Sequence, residues 1–173
     1  FWQADKSIKG LPAEYIDRLQ TIDECKAVDN NTKMLITSSS SSCLLIDIPT
    51  KEVLFYAKVT NAHSADLLPN GRIAIALSVN NSGTGNALEL YDVKQPEKCI
   101  YRDSLYSGHG VVWNPKRESL YVLGFKELRE YKLKDWQSQS PSLDRVAEWE
   151  LPINSGHDLS PVGDDRMLIS GRE

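Results

Sequence analysis

The chain has 173 residues, of which 40% are hydrophobic and 25% charged, and its formal net charge is −4 at pH 7. That composition excludes a disordered chain. The acidic balance and the scatter of the basic residues argue against a nucleic-acid partner. No apolar run approaches the roughly 20 residues that a membrane-spanning helix needs, so we expect no transmembrane segment.

The first pattern along the chain is LPAEYIDRLQ, residues 11–20. It is the one candidate for a helix, because Pro12 suits a first helical position. The segment is short, so we expect it to decorate a loop in a chain that is otherwise rich in β-strands.

A phrase headed by histidine then occurs three times, in NAHSADLLPNGRIAIA (61–76), SGHGVVWNP (107–115) and SGHDLSPVGDDRMLIS (155–170). Each histidine is followed by a short semi-apolar run, by turn residues, and by a strand of alternating apolar residues. Such repetition at a fixed period is the sequence signature of repeat architectures.

The heads of the repeat are His63, His109 and His157, and the strand that follows starts ten or eleven residues later. Counting ten back from Met34, which opens a similar strand, gives Glu24 as the head of an earlier copy. The heads at 24, 63, 109 and 157 are spaced in or near the range of propeller blades.

The rest of each unit gives two further strands, so every unit contains four short strands divided by Gly, Pro, Asn and Asp. The sequence therefore predicts an all-β fold, a β-propeller of four-stranded antiparallel blades. We expect about three to four blades of a larger ring of six or seven. The predicted units are 24–62, 63–108, 109–156 and the start of another at 157–173, with 1–23 as the end of a preceding blade plus a loop.

Propellers typically have four to eight blades, and this chain begins at Phe1 without Met and stops soon after a strand. An open fan would expose sheet edges and blade faces. We therefore expect the ring to be completed either by further sequence or by a second copy of the chain.

Five phrases in order, TIDECKAV, NAHSADLLPNGR, SGHGVVWNP, ELREYKLKDW and SGHDLSPV, resemble the signature stretches of an uncharacterised bacterial β-propeller family. The resemblance covers nearly all of the chain. It implies the propeller fold and a secreted, periplasmic or cell-surface location, and it assigns no activity.

In a propeller the first strand of each blade lines the central channel, so residues at one repeat position form a ring. His63, His109 and His157 are therefore expected to converge with Glu24 or Cys25. Imidazoles with a carboxylate or thiolate are ligands of zinc, manganese or iron. The sequence thus predicts a divalent metal, zinc or manganese, on the three histidines and Glu24. More distantly, this pattern resembles propeller lyases and lactonases with a channel metal.

Two structural interpretations of the histidines stay open. They can form a hydrogen-bonded polar ring that fills the channel without a metal. They can also be turn residues, as in WD-type propellers, where a Gly-His pair heads each repeat and the histidine bonds to an aspartate.

Further candidates surround the predicted ring. Asp158 and Asp66 could orient imidazoles or act as a general base, although turn and strand-end hydrogen bonds would explain both. Lys26 could meet an anionic substrate, or simply be solvated. Trp113 could stack on a sugar at the channel mouth, or pack in the core between blades.

Two classes of function follow from these patterns. One is a metal-dependent lyase or hydrolase acting on a carbohydrate-derived or other small anionic substrate. The other is a non-catalytic propeller that binds a ligand in its channel or serves as a scaffold.

Overall fold

Antiparallel strands follow one another in chain order through the computed structural model, which describes residues 3, 8–152, 154–163 and 165–172. Three four-stranded sheets and one two-stranded sheet result, each with its strands in sequence order. Blade 1 contains β1 (Ile22–Val28), β2 (Lys33–Ser38), β3 (Ser42–Asp47) and β4 (Val53–Ala57). Blade 2 contains β5 (Ala62–Leu68), β6 (Arg72–Leu77), β7 (Ala87–Asp92) and β8 (Cys99–Ser104).

Blade 3 contains β9 (Gly110–Asn114), β10 (Ser119–Leu123), β11 (Glu127–Lys134) and β12 (Ser142–Glu150). The two strands β13 (Asn154–Val162) and β14 (Arg166–Arg172) begin the next sheet, blade 4. The all-β class and the four-stranded antiparallel blades predicted from the sequence are confirmed.

Helical structure in the described residues is confined to two short 3-10 segments, Ala13–Arg18 and Pro69–Gly71. The first coincides with the predicted helical segment, but Pro12 precedes it with an extended backbone instead of opening it. None of the described helices is long and apolar enough to cross a membrane.

Apolar faces of successive sheets pack against each other. Leu35, Leu45 and Phe55 of blade 1 are in one buried cluster with Ile73 and Ile75 of blade 2. A second cluster joins blades 2 and 3 in the same way. Because each sheet buries apolar side chains on the faces it turns toward its neighbours, the blades are held by the burial of apolar surface.

The first strand of each blade lies on the inner side of the fan. These inner strands, β1, β5, β9 and β13, pack against one another in consecutive order. Ring closure is not seen in the described part of the chain, which forms three blades and the first two strands of a fourth. The inner strands therefore line one side of an open channel, and their starting ends lie together at one mouth of it.

Candidate functional site

The three histidines lie together at this mouth. The ring centroids of His63 and His109 are 4.3 Å apart, those of His109 and His157 are 5.0 Å apart, and those of His63 and His157 are 6.5 Å apart. Three residues that are distant in sequence thus form one group, called here the histidine cluster. His63 and His109 are half-buried and His157 is exposed.

The same turn conformation precedes each of the three histidines. The residue two positions before each histidine has a left-handed backbone, with φ of 47° at Asn61, 51° at Ser107 and 53° at Ser155. A glycine directly precedes the histidine in blades 3 and 4. At Gly156 an added Cβ would lie 2.7 Å from the carbonyl oxygen of Gly124, so no larger residue fits where this turn crosses the neighbouring blade.

Asp23 occupies the equivalent position in blade 1. The β1–β2 pairing skips Asp23 between Ile22 and Glu24, just as the β5–β6 pairing skips His63 between Ala62 and Ser64. The Oδ1 atom of Asp23 lies 3.4 Å from Nδ1 of His63. The repeat position therefore holds one carboxylate and three imidazoles, and the carboxylate beside the histidines is that of Asp23.

Glu24, the residue proposed from the sequence, has a different set of partners. Its Oε2 accepts hydrogen bonds from Ser64 Oγ at 2.9 Å and from the Ala65 N–H at 3.1 Å. Its Oε1 is 3.3 Å from Nζ of Lys26. Glu24 thus joins blade 1 to blade 2 one residue further along the inner strand than the histidine cluster.

The hydrogen bonds of His109 fix its tautomer. Nδ1 of His109 is 2.8 Å from the carbonyl oxygen of Ser107. A carbonyl oxygen can only accept, so Nδ1 carries the proton and Nε2 keeps its lone pair. The Nε2 atom of His109 is therefore unprotonated and available as a ligand.

His63 faces acceptors on both ring nitrogens. Its Nδ1 is near the Asp23 carboxylate, and its Nε2 is 3.2 Å from Oδ1 of Asn61. Nδ2 of Asn61 donates a hydrogen bond to the carbonyl of Val79 at 2.6 Å. This bond fixes the orientation of the amide, so that Oδ1 faces His63. A neutral imidazole has one N–H, so it can satisfy only one of these two acceptors.

The surroundings of His63 and His109 favour the uncharged form of both rings. Burial lowers the pKa of His63 below its usual range, and the neighbouring His109 lowers it further against the opposing effect of Asp23. Burial also lowers the pKa of His109, although the Ser107 carbonyl acts in the other direction. Both rings are therefore neutral at pH 7, which is the form that binds metals.

This titration should appear in the stability of the protein. Because the folded-state pKa of both histidines lies below the unfolded value of about 6.5, the unfolded chain binds more protons as the pH falls below that value. The free energy of unfolding should then decrease on acidification, by at most about 1.4 kcal/mol per pH unit for each histidine. Urea unfolding between about pH 7.5 and 5.5 measures this slope.

The matched variant for this test is the double substitution His63→Gln and His109→Gln, which should flatten the slope. Burial raises the pKa of Asp66, so its contribution has the opposite sign, but it is common to both proteins and cancels in the difference. Equal slopes in the two proteins would contradict the assignment to the histidines.

Below the histidine cluster, polar side chains connect one inner strand to the next. Lys26 donates from Nζ to the carbonyl of Ala65 at 2.9 Å and to that of Val111 at 2.6 Å. It thereby links blade 1 to blades 2 and 3. With Glu24 also nearby, the Lys26 ammonium is already satisfied by protein groups, and it is not placed to await an anionic substrate.

Ser64 and Asp66 extend this network. Oγ of Ser64 accepts from the Val111 N–H at 3.0 Å, and Oδ2 of Asp66 accepts from the Trp113 N–H at 2.8 Å. Inner strands of adjacent blades belong to different sheets, so their inward backbone groups need side-chain partners. The network supplies those partners, and Asp66 is a structural acceptor in it.

Three further candidates from the sequence, Asp158, Cys25 and Trp113, make no hydrogen bond or ion pair with the histidine rings among the described residues. Asp158 is exposed and accepts a hydrogen bond from Ser160 at 2.9 Å. Cys25 is also exposed. Trp113 is four residues beyond His109 on an extended strand, which places it about 13 Å further along the channel.

Sequence reasoning missed Asp23, Asn61 and Ser107. The signal for the last two was their constant position two residues before a histidine. The sequence prediction chose Glu24, one residue beyond Asp23, because a count of ten residues back from Met34 implies a three-residue turn. The β1–β2 and β9–β10 turns have four residues, whereas the β5–β6 and β13–β14 turns have three. Eleven was therefore the correct count for blade 1.

Residues 1–168 match a family of unknown function, DUF6528. This agrees with the resemblance to an uncharacterised family seen in the sequence. No curated protein matches the chain by sequence.

Among solved structures, a chain of the Mitotic Checkpoint Complex aligns with a TM-score of 0.70 at 7% identity, over 87% of this chain and 46% of that one. Hydrazine synthase of Kuenenia stuttgartiensis aligns with a TM-score of 0.63 at 12% identity, over 95% of this chain and 43% of that one. The chain spans less than half the length of either neighbour. These likenesses concern the propeller-like fold alone.

Proposed function

We infer the function of this chain, which belongs to the family of unknown function DUF6528, from its histidine cluster. The inference is that His63, His109 and His157 bind a divalent metal, zinc or manganese, at the channel mouth. The observation that carries it is the convergence of three imidazoles, with a carboxylate oxygen 3.4 Å from Nδ1 of His63 and a carbonyl oxygen 2.8 Å from Nδ1 of His109.

The spacing of the rings supports the proposal. A tetrahedral metal with metal–nitrogen distances of about 2.0–2.1 Å keeps the centroids of its imidazole ligands about 5 Å apart. The observed separations of 4.3, 5.0 and 6.5 Å lie around that value. As the side chains stand, no group of three or more His, Cys, Asp or Glu among the described residues is arranged to hold an ion, so the rings have to turn on binding.

The partners of Nδ1 also support it. Metal-binding histidines usually donate their other ring N–H to a carboxylate or backbone carbonyl. Asp23 and the Ser107 carbonyl are such acceptors, for His63 and His109 respectively. A metal bound to Nε2 of His63 would replace the Oδ1 atom of Asn61 as the partner of that nitrogen. The single N–H of the neutral ring would then be on Nδ1, facing Asp23.

When bound, such a metal would polarise a ligand oxygen or activate water at an open coordination position. We propose a lyase or hydrolase of a carbohydrate-derived or small anionic substrate as the class of activity. The non-catalytic alternative, a propeller that only holds its ligand, has one observation in its favour. The two predicted general bases, Asp66 and Asp158, already accept hydrogen bonds from other groups.

The decisive experiment is calorimetric titration of the metal-stripped chain with zinc and with manganese at pH 7.5. We expect one equivalent of metal per chain. His109→Ala should weaken binding by more than about 100-fold, and Asp23→Asn by about 10–100-fold, because the first removes a ligand and the second removes its orienting partner.

Asp158→Asn provides the matched control, since it removes a carboxylate adjacent to His157 that orients none of the rings. Its affinity should equal that of the wild type. Absence of binding, or stoichiometric binding that survives His109→Ala unchanged, would overturn the metal site. The histidines would then be a hydrogen-bonded polar ring.

A further inference from the structure

A second feature lies at the other end of the inner strands. Asn70 is seven residues beyond His63, and an extended strand rises about 3.3 Å per residue, so the two are separated by roughly 20 Å. Here the β5–β6 turn of blade 2, Pro69–Gly71, meets the segment that follows β11 in blade 3. That segment contains Trp136 and Gln137.

The two segments are clamped together by specific contacts. Nε1 of Trp136 donates to the carbonyl of Pro69 at 3.1 Å. The guanidinium of Arg72 lies 4.5 Å from the centroid of the Trp136 ring and donates to its carbonyl. Nδ2 of Asn70 lies 3.4 Å from Oε1 of Gln137, at the limit for a hydrogen bond.

Two grooves meet at the Asn70–Gln137 pair. The first has a volume of about 470 Å³, and its walls include Trp113, Trp136 and Lys132. The second has a volume of about 580 Å³ and is lined by charged residues, namely Arg72, Asp92 and Lys94. Because Asn70 and Gln137 belong to both linings, the two grooves adjoin at these amides.

Arg72 adds an independent observation. It is 8% exposed, and its Nε is the only buried side-chain nitrogen or oxygen among the described residues that has no hydrogen-bond partner. Buried donors are normally paired. Because this nitrogen is enclosed, Arg72 contributes its positive charge to the wall of the second groove and not a direct contact from Nε.

We propose that these adjoining grooves, on the face opposite the histidine cluster, together bind an oligosaccharide. The half-buried ring of Trp113 offers an apolar surface for one face of a pyranose. The amides of Asn70 and Gln137 both donate and accept hydrogen bonds, which matches hydroxyl groups that do the same. Both volumes are within the range of about 300–1,000 Å³ for small-molecule sites.

The lining also bears on other occupants. A nucleic-acid strand would need a cationic track, whereas Asp92 and Glu118 lie among the basic residues of the two grooves. A proline-rich peptide would suit the tryptophan, but its prolines have no backbone N–H to donate to the amide oxygens of Asn70 and Gln137. The alternation of aromatic, amide and charged groups therefore favours a carbohydrate chain.

The test is titration of the full chain with linear tetrasaccharides, one neutral and one uronate-containing, followed by tryptophan fluorescence and calorimetry. Binding of either supports the proposal, and the two arms show whether Arg72 and the lysines recognise carboxylates. Asn70→Gly should weaken binding by about fivefold or more, since it removes the central amide. Asn70 has φ of 64°, which glycine adopts without strain.

Asn31→Gly is the matched control, because Asn31 has φ of 62° in the corresponding turn of blade 1 and lies outside the grooves. It should leave affinity unchanged, as should His109→Ala, so the failure of the metal site and of this site are distinguishable. No binding of either sugar at millimolar concentration, tighter binding of a proline-rich peptide, or equal loss in both asparagine variants would overturn the proposal.

Discussion

Replacing Arg129 by alanine should lower the free energy of unfolding by about 2–3 kcal/mol, because it removes a buried guanidinium and leaves the half-buried carboxylates of Glu127 and Asp103 without their counter-charge. The Arg129 side chain is 9% exposed. Its Nε and Nη2 donate to the carboxylate of Glu127 at 2.9–3.1 Å. Its Nη1 donates to the carbonyl of Ser104 and to the hydroxyl of Tyr131.

The substitution should also weaken the contact between blades 2 and 3, because Arg129 bonds to both. Arg129 is on β11 of blade 3, whereas Ser104 and Asp103 are on β8 of blade 2. Asp103 is 3.7 Å from Nη1 of Arg129 and accepts a hydrogen bond from Tyr131 at 2.8 Å. The guanidinium therefore joins two blades whose outer strands share no sheet.

Arg145→Ala is the matched control, measured by urea unfolding at pH 7 beside Arg129→Ala. Arg145 contacts the same Glu148 as Arg129, at 2.9 Å, but its side chain is 46% exposed. Exposed ion pairs contribute about 0–1 kcal/mol, so the control should lose little stability. Equal losses would show that burial does not determine the contribution of this network.

The fold could be predicted because its determinants are local. The short apolar runs in RIAIA and SLYVL, bounded by turn residues, favour second strands that are buried on both faces. The recurrence of His63, His109 and His157 then fixes a common position in each unit, and a repeat fold converts a common position into a ring. Convergence of the histidines was therefore available from the sequence.

The partners of the histidines were harder to predict. Glu24 was chosen in place of Asp23 because turn length varies by one residue between blades, and a shift of one residue exchanges neighbouring side chains. Lys26 and Asp66 looked accessible in the sequence. Their hydrogen bonds are made with backbone groups of other blades, some 40–85 residues away in the sequence. Local sequence patterns cannot predict partners at such separations.

The position of Trp113 was also difficult to predict from the sequence. The sequence associated it with the histidines because both belong to one short phrase. On an extended strand, however, four residues are enough to separate the two ends of the channel. Proximity in sequence indicated a shared strand, and only the direction of that strand showed that Trp113 belongs to the opposite face.

The second large effect is expected from Gly110→Ala, which should lower the free energy of unfolding by about 3 kcal/mol, at the upper end of the range for overpacking. A Cβ at Gly110 would lie 2.5 Å from Cβ of Leu159 and 3.2 Å from its backbone nitrogen. Ser64 and Glu24, at the equivalent position of blades 2 and 1, instead bond the next strand through their side chains. Blades 3 and 4 are too close here for any side chain.

Gly83→Ala separates this steric effect from the general cost of replacing a glycine. Gly83 has φ of +74° and nothing within 4 Å of an added Cβ, so alanine there should cost only about 1 kcal/mol of backbone strain. Gly110→Ala should also weaken the proposed zinc binding, since pushing β9 from β13 separates His109 from His157, whereas Gly83→Ala should not. If both variants lose equal stability and bind zinc alike, the close approach of these strands does not position the histidine cluster.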